Sequence, residues 1–349
     1  MNKKLIAIAV AAALAPIAAQ AEPTVYGQGQ VEYGTFGGKD TAGKDQKGAA
    51  MADNARGRIG IKNSEDLGNG MTALFKAEFK TDFADGDSGT ADKSDKKAGT
   101  DATKGKEGIA LQKREMMVGI KAGFGQIEVG RLKSPYKYTG GVKYDPYVTT
   151  FHEARGVVVS GKAGKGNGYG NNGFVSDSLS YQNKFGPLKV WVLRDMDSGG
   201  PAQDKEGNGL IYALAYQQGN IEAHFKGLTD DQEGTKEYTA SAFGGKMKFG
   251  SMDVAIELES LEKGTGAGSK TDTMFINWNM KMGKNVITAN YGVATTDTTV
   301  ENETTKITLG VAHKFSKKTR AFVAHSIIEE GAAKKEERTV TSLGLRVDI

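Results

Sequence analysis

The chain has 349 residues and a formal net charge of +4, from 46 lysines and arginines against 42 aspartates and glutamates. It contains no cysteine, which excludes disulfides, thiolate metal sites and a cysteine nucleophile. The nearly balanced charge does not support nucleic-acid binding, whose signature is a clustered basic face. Glycine is abundant at 48 and proline scarce at 6, which favours strands and tight turns.

The first element along the chain is a predicted secretory signal peptide over residues 1–21. Lys3 and Lys4 precede an apolar run, and an A-x-A cleavage site ends at Ala21. We expect this segment to be removed and residues 22–349 to form one β-barrel domain. After it, no apolar run approaches the roughly 20 residues that a membrane helix needs.

Segments in which apolar and polar residues alternate recur from residue 25 to the end of the chain, which predicts strands. The polar face of two early strands is predicted to line the lumen, either as a solute path or as a self-neutralising ladder. Its members are Gln28, Gln30, Glu32, Lys76, Glu78 and Lys80. A charged inner face behind an apolar outer face fits a water-filled barrel, whereas a soluble sandwich requires dry inner faces.

The alternation predicts sixteen strands, joined by connections that are short and long in turn. Their ranges are 24–36, 55–63, 71–83, 109–121, 126–133, 174–184, 188–194, 209–217, 220–229, 237–248, 251–261, 271–281, 285–294, 305–315, 318–328 and 338–349. An even number of strands, joined by short and long connections in turn, is typical of a transmembrane barrel.

The last strand alternates up to the final residue of the chain. One face is apolar and is predicted to meet lipid, a trimer contact or the assembly machinery: Leu343, Leu345, Val347 and Ile349. Arg346 and Asp348 lie on the opposite, polar face.

Several segments resemble the general porins of Gram-negative outer membranes, in particular the neisserial-type branch. The matching segments are VYGQGQVEYGTF (25–36), RGRIGIKNSEDLGNGMTALFKAEF (56–79), REMMVGIKAGFGQIEVGRLKSPY (114–136), TTKITLGVAHKFSKKTRAFVAHS (304–326) and TSLGLRVDI (341–349). The resemblance implies an all-β fold, a 16-stranded antiparallel transmembrane barrel with short periplasmic turns and long external loops. It also implies that the third external loop, here the aromatic-rich segment 134–173, folds into the lumen.

The resemblance further implies a pore constriction between a basic wall and this loop. The wall residues are Arg56, Arg58, Lys62 and Arg114, and the loop residues are Asp145, Glu153 and Arg155. Arg114 shares alternation parity with lipid-facing residues, so a bulge or a rim position is required there. The family's wall arginine early in strand six is absent, since Phe174 and Val175 occupy that place.

The implied function is passive diffusion of small hydrophilic solutes and ions, with a weak preference for anions because bases outnumber acids in the loop. The implied partners are two further copies in a homotrimer, outer-membrane lipid and lipopolysaccharide, and the barrel-assembly machinery. No nucleic acid or cofactor is expected. No metal is expected either, since the four histidines are scattered and none pairs at the spacing of metal ligands. His152 is the one histidine in the loop, where its protonation near neutral pH would alter the local electric field.

Two other functions remain open on the sequence alone, a structural or adhesive barrel and a barrel that houses an enzyme. An enzyme requires a nucleophile beside a base, and no motif in the chain indicates one. A purely structural barrel would have its lumen filled by side chains or by an extra plug domain. The predicted strands and their connections leave no residues for such a domain. We expect no enzymatic activity.

The signal-peptide prediction is tested by mass spectrometry of the protein in isolated outer membranes. The expected mature chain begins at Glu22, because the A-x-A site ends one residue earlier. Finding residues 1–21 on the membrane-inserted form would contradict the prediction.

Overall fold

The computed structural model describes residues 22–40, 42–54, 56–81, 83–84, 112–153, 173–196, 209–230, 238–263, 270–297, 302–331 and 336–349. The predicted signal peptide, residues 1–21, lies outside these ranges. None of the described helices has both the length and the apolar character to cross a bilayer.

The described chain is almost entirely antiparallel sheet. Its strands are β1 (Thr24–Lys39), β2 (Gly48–Ala52), β3 (Arg58–Gly68), β4 (Met71–Lys80), β5 (Gln112–Ala122), β6 (Gly125–Lys133), β7 (Phe174–Phe185), β8 (Leu188–Asp195), β9 (Leu210–Gln218), β10 (Ile221–Asp230), β11 (Tyr238–Phe249), β12 (Met252–Lys263), β13 (Lys270–Met282), β14 (Asn285–Thr296), β15 (Asn302–Lys314), β16 (Thr319–Glu330) and β17 (Glu336–Asp348). β17 returns to β1, with Gln28 opposite Asp348 and Lys39 opposite Glu337. This pairing closes the sheet into a barrel, so no strand edge is left open to lipid.

β2 and β3 together form a single strand of the wall. β2 pairs with the later half of β1, where Tyr33 faces Met51, and β3 pairs with the first half, where Tyr26 faces Gly60. Between them, Asn54 adopts a left-handed conformation with φ 50°. The wall therefore has the predicted sixteen strands, but the second is longer than residues 55–63 and is interrupted in its middle.

Short and long connections separate the two rims of the barrel. Two-residue turns join β3 to β4, β5 to β6, β7 to β8, β9 to β10, β11 to β12 and β13 to β14, and residues 315–318 join β15 to β16. We call this end the short-turn rim and the other the long-loop rim. Gly219 and Gly283 adopt φ values of 57° and 59° in their turns, a region that glycine enters without steric cost.

The two faces of the wall differ in chemistry as the alternation predicts. The outer face presents exposed apolar side chains, including Val118, Ile120, Leu214, Ile307, Leu309 and Val323. On the closing strand, Leu343 is 63% exposed, and Leu345 and Val347 lie on the same face. The alternating residues of the inner face include Gln30, Glu32, Asn277, Thr308 and Ser342, all buried inside the barrel.

The connection between β6 and β7 runs inside the barrel. It begins with two short helical turns, α1 (Pro135–Tyr138) and α2 (Gly141–Tyr144). α1 contacts β8, β9 and β10, and α2 contacts β12, so the segment lies along the inner wall. We call its described part, residues 134–153, the inner loop.

The outer-face assignment is tested by arginine substitutions along β17. Leu343→Arg lies near the middle of the strand, where a lipid-facing arginine costs about 2–4 kcal/mol, whereas a position near the rim costs about 0–1 kcal/mol. We expect Leu343→Arg to reduce the yield of heat-resistant folded protein strongly. Glu337→Arg is the matched control, on the same face beside the long-loop rim, and we expect a near-normal yield. Equal yields from the two variants would show that the face is wrongly assigned.

Candidate functional site

One carboxylate of the wall holds the start of the inner loop. Oε2 of Glu257 accepts the backbone N–H of Gly141 at 2.6 Å and lies 2.9 Å from Nζ of Lys226. The same lysine, which is completely buried, donates to the carbonyl of Thr139 at 3.0 Å. His224 Nε2 also lies 2.9 Å from this carboxylate oxygen. The buried charges of Lys226 and Glu257 therefore compensate one another directly, and each also forms a hydrogen bond to the backbone of the loop.

Gly140 makes this close approach of the loop possible. Its φ of 72° is left-handed, and a Cβ built on it would lie 2.3 Å from the imidazole of His224. No other residue fits both the conformation and the space. Beside it, the hydroxyl of Tyr136 donates to Glu259 at 2.9 Å, and Lys226 lies 4.8 Å from the centre of that ring.

A hydrogen-bonded chain with one direction holds the end of the inner loop. Ser342 donates to Glu32, so its oxygen accepts from His152 Nε2 at 2.7 Å. His152 Nδ1 then accepts from Ser326 at 2.6 Å, and Ser326 is 2.8 Å from Thr308. A carboxylate can only accept, so Glu32 fixes the direction of the chain and places the proton of His152 on Nε2.

His152 is completely buried in this chain. Burial, followed by the nearby charge of Lys306, lowers the pKa of His152 to about 3. The side chain therefore stays neutral near pH 7, and the expectation of a neutral-pH switch at this histidine is wrong. The imidazole stays neutral because the loop places it in contact with Ser326 and Ser342 of the wall, where lumen water does not reach it.

The predicted acids of the loop accept hydrogen bonds from the backbone of the loop. Asp145 is 3% exposed, and its Oδ1 accepts the backbone N–H of Tyr147 at 2.9 Å. Glu153 accepts the N–H of Thr149 at 2.8 Å, which stabilises the left-handed φ of 58° at Thr149. The role of Asp145 at a constriction thus stays a prediction, and its carboxylate is buried between the loop and the wall. Arg155 lies outside the described residues.

Two of the predicted wall residues, Arg58 and Arg114, meet in a charged cluster on β3 to β6. Glu78 accepts from Arg114 Nε at 2.8 Å and from the hydroxyl of Tyr26 at 2.9 Å, and it lies 3.9 Å from Arg58. Lys76 lies 3.7 Å from the same carboxylate. Lys76 and Lys133 also pair with Glu115, the latter at 3.2 Å. Four cations therefore share two carboxylates at this part of the wall.

A β-bulge explains how Arg114 reaches the lumen. Glu78 pairs with Glu115, whereas the next residue, Phe79, pairs with Lys113. Arg114 is the extra residue, so both it and Glu115 contribute to the inner cluster. The conflict with simple alternation is resolved in favour of the bulge.

Two arginines that the sequence analysis did not place at the constriction extend this basic wall. Arg320 and Arg346 are direct cross-strand partners on β16 and β17, and both are near enough to Arg56 for their like charges to repel. Arg56 interacts in turn with Arg58, and Arg58 with Arg114. We call these five residues the arginine arc. The signal was present in the sequence, since Arg346 lies on the polar face of the closing strand.

The remaining predicted residues also lie along the inner wall. Gln28 accepts from Arg58 at 3.0 Å, and Gln30 donates to the carbonyl of Thr149 at 2.7 Å. Lys62 lies 5.8 Å from the ring centre of Tyr26, and Lys80 is the cross-strand partner of Arg58. Arg56 donates to Thr149 Oγ1 at 3.0 Å, which connects the arc to the inner loop.

Comparison with solved structures supports the barrel fold. An anion-selective porin from Comamonas acidovorans superposes with a TM-score of 0.72 at 20% identity, covering 94% of this chain and 99% of that one. The trimer form of OmpT, an outer membrane protein of Vibrio cholerae, gives 0.64 at 14% identity, covering 94% and 99%. At these identities the likeness concerns the fold alone.

Sequence comparison identifies the family. The chain is 33% identical to the major outer membrane protein P.IB of Neisseria meningitidis serogroup B over 148 residues, 41% of this chain and 37% of that protein. It is 35% identical to the P.IB protein of Neisseria gonorrhoeae over 144 residues, 40% of this chain and 34% of that protein. The chain thus spans little more than a third of the length of these relatives. Because the model of the Gram-negative porin family matches residues 7–330, the chain belongs to that family and is a β-barrel protein of the outer membrane.

Proposed function

We propose that this porin forms a water-filled channel for passive diffusion of small hydrophilic solutes and ions, with a weak preference for anions. The arginine arc carries the proposal. It brings guanidinium groups from four wall strands within electrostatic range of one another, and Arg56 connects them to the inner loop. A barrel of this strand number is wide enough to hold an aqueous channel. In this reading the barrel is a channel and not an enzyme.

The constriction is proposed to lie between the arginine arc and the inner loop. Arg56, Arg58, Lys62 and Arg114 form the basic side, extended by Arg320 and Arg346 on the neighbouring strands. Fixed charge of one sign at a narrow, water-filled neck favours entry of the opposite ion. Glu78 and Glu115 neutralise part of the wall charge, which explains why the preference is weak.

The apolar outer face supports the proposed partners. Its exposed side chains suit lipid and a threefold contact between barrels, and a solved OmpT structure carries the description trimer form. We propose a homotrimer in contact with lipid and lipopolysaccharide. The terminal residues Leu343, Leu345, Val347 and Ile349 are proposed as the signal that the assembly machinery reads.

Charge selectivity is tested by the zero-current potential of the purified protein in a planar bilayer under a salt gradient. In water, a unit charge about 10 Å from a permeating ion changes its energy by about 0.4 kcal/mol, roughly a factor of two in relative permeability. Arg58→Glu changes the charge of the arc by two units, and the energies of anion and cation shift in opposite directions, so we expect the anion-to-cation permeability ratio to fall by roughly an order of magnitude at low salt. The effect should fade at high salt, because screening acts over about 10 Å at 0.1 M.

Two further variants accompany this measurement. Lys184→Glu makes the same charge reversal at the exposed end of β7, which pairs with β6 and β8 and with none of the strands that carry the arc, and should leave the potential nearly unchanged. Asp145→Asn removes a buried negative charge, so we expect the anion preference to rise, by less than it falls in Arg58→Glu. Cation preference in the unmodified channel, or an unmoved potential in Arg58→Glu, would overturn the proposed constriction.

The oligomeric state is tested by cross-linking and mass measurement in mild detergent. We expect a trimeric mass, because the outer face exposes contiguous apolar side chains that a neighbouring barrel buries. A monomeric mass that cross-linking leaves unchanged would rule out the homotrimer.

A further inference from the structure

A cavity lies between the inner loop and the wall, toward the short-turn rim. Its volume is about 190 Å³, and its walls come from Pro146, Tyr147 and Thr150 of the loop and from the inner faces of β12 to β16. An apolar cavity of about 150 Å³ is known to hold one benzene molecule. This cavity therefore has room for a single ring with a small charged group.

The charge of the cavity is positive. Lys281, Lys314 and Arg320 line it. Within the described part of the chain, the ammonium groups of Lys281 and Lys314 form no ion pair. Nε of Arg320 is buried and has no hydrogen-bond acceptor within the described chain. The lining acid, Asp253, is already bound by Lys246 at 3.1 Å and by the amide of Asn279 at 2.9 Å. A buried donor without an acceptor favours a ligand that supplies one.

The opposite side of the cavity is apolar and aromatic. Tyr147 and Phe322 are each 5% exposed, and Pro146 and Val286 complete the surface. The Phe322 ring occupies the space above Gly344, where a Cβ would approach Cζ to 2.2 Å. The hydroxyl of Tyr147 likewise occupies the space above Gly310. The cavity combines an apolar, aromatic surface with a cluster of three cations.

We propose that this cavity binds one small organic anion that carries a single apolar ring, with its carboxylate toward Arg320, Lys281 and Lys314 and its ring against Tyr147 and Phe322. The inference rests on the proposed channel and names the class of solute that pauses inside it. Inorganic ions and short aliphatic acids lack an apolar ring, so we expect them to pass without binding in the cavity. Organic cations of the same shape are repelled by the three bases.

The test uses benzoate on the purified full-length protein. In a planar bilayer we expect benzoate to give concentration-dependent interruptions of the current, whereas acetate and benzylammonium at equal concentration do not. Titration calorimetry of the detergent-solubilised protein provides a binding constant that does not depend on conduction. Interruptions by acetate as frequent as those by benzoate would overturn the proposed apolar contact.

A variant pair locates the site. The double variant Lys281→Gln, Lys314→Gln removes two unpaired charges, and we expect benzoate affinity to fall about tenfold, equivalent to about 1.4 kcal/mol. Lys284→Gln, Lys317→Gln removes two charges from turns of the same rim outside the cavity lining, and affinity should change less than twofold. Heat-resistant folded protein is confirmed for each variant first. Equal affinity in the two double variants would overturn the assignment.

The two proposals fail in different ways. A channel that conducts with anion preference but binds no benzoate in the calorimeter refutes the cavity and leaves the proposed function standing. A protein that binds benzoate, loses that binding in the Lys281 and Lys314 variant and does not conduct refutes the channel and supports the cavity.

Discussion

The whole architecture depends on one constraint, that backbone N–H and C=O groups facing lipid must find partners within the protein. A closed antiparallel sheet meets it, and here the last strand pairs with the first from Gln28 to Lys39. Closure forces alternation, because one face of each strand meets hydrocarbon and the other meets the lumen. The inner face is therefore polar where it meets lumen water, and it is apolar only where the inner loop covers it, as at Leu132, Leu193 and Ile211.

A segment folded into such a barrel cannot be held by hydrophobic packing alone. The inner loop is instead fixed at both ends by buried charges whose hydrogen bonds are shared between loop and wall. Glu257 accepts from Gly141 and Lys226, and Glu32 accepts from Ser342 and the backbone of Phe151. Removal of either carboxylate leaves buried donors without acceptors, which costs more than the net value of the bonds themselves. Apolar contacts such as Leu132, Tyr136 and Leu193 supplement these bonds where α1 meets the wall.

Period-two alternation was sufficient to predict the strand number, the rims and the lipid-facing side, because a strand in a barrel wall obeys one rule along its length. It failed where the backbone departs from that rule. The bulge at Arg114 moves an arginine into the lumen against its parity, and the break near Asn54 divides one wall strand in two. Neither departure leaves a local signal, since each is decided by pairing with a neighbouring strand.

Loop side chains were harder to place than strand side chains for a related reason. The loop has no period, so an acid such as Asp145 can point to water or to the wall without any change in the sequence pattern. The contacts that decide this come from distant strands, as with His152, which meets Ser326 and Ser342. Arg320 and Arg346 become neighbours only through the register of β16 and β17. The resemblance to porins therefore implied the location of the loop in the lumen, but nothing in the sequence indicated the direction of its charges.

The position of the inner loop also decides which charged side chains of the wall stay exposed inside the barrel. Against the wall it covers Glu32, Glu257 and Glu259, and it hides its own Asp145 as well, all of them 7% exposed or less. Two lysines, Lys226 and Lys306, are covered with them. More negative than positive charge is thus withdrawn from lumen water, while Arg58 and Arg114 keep 21% and 14% of their side-chain surface exposed. The same contacts that hold the loop therefore leave these two arginines of the arc partly exposed on the inner wall while most of the neighbouring acids are covered.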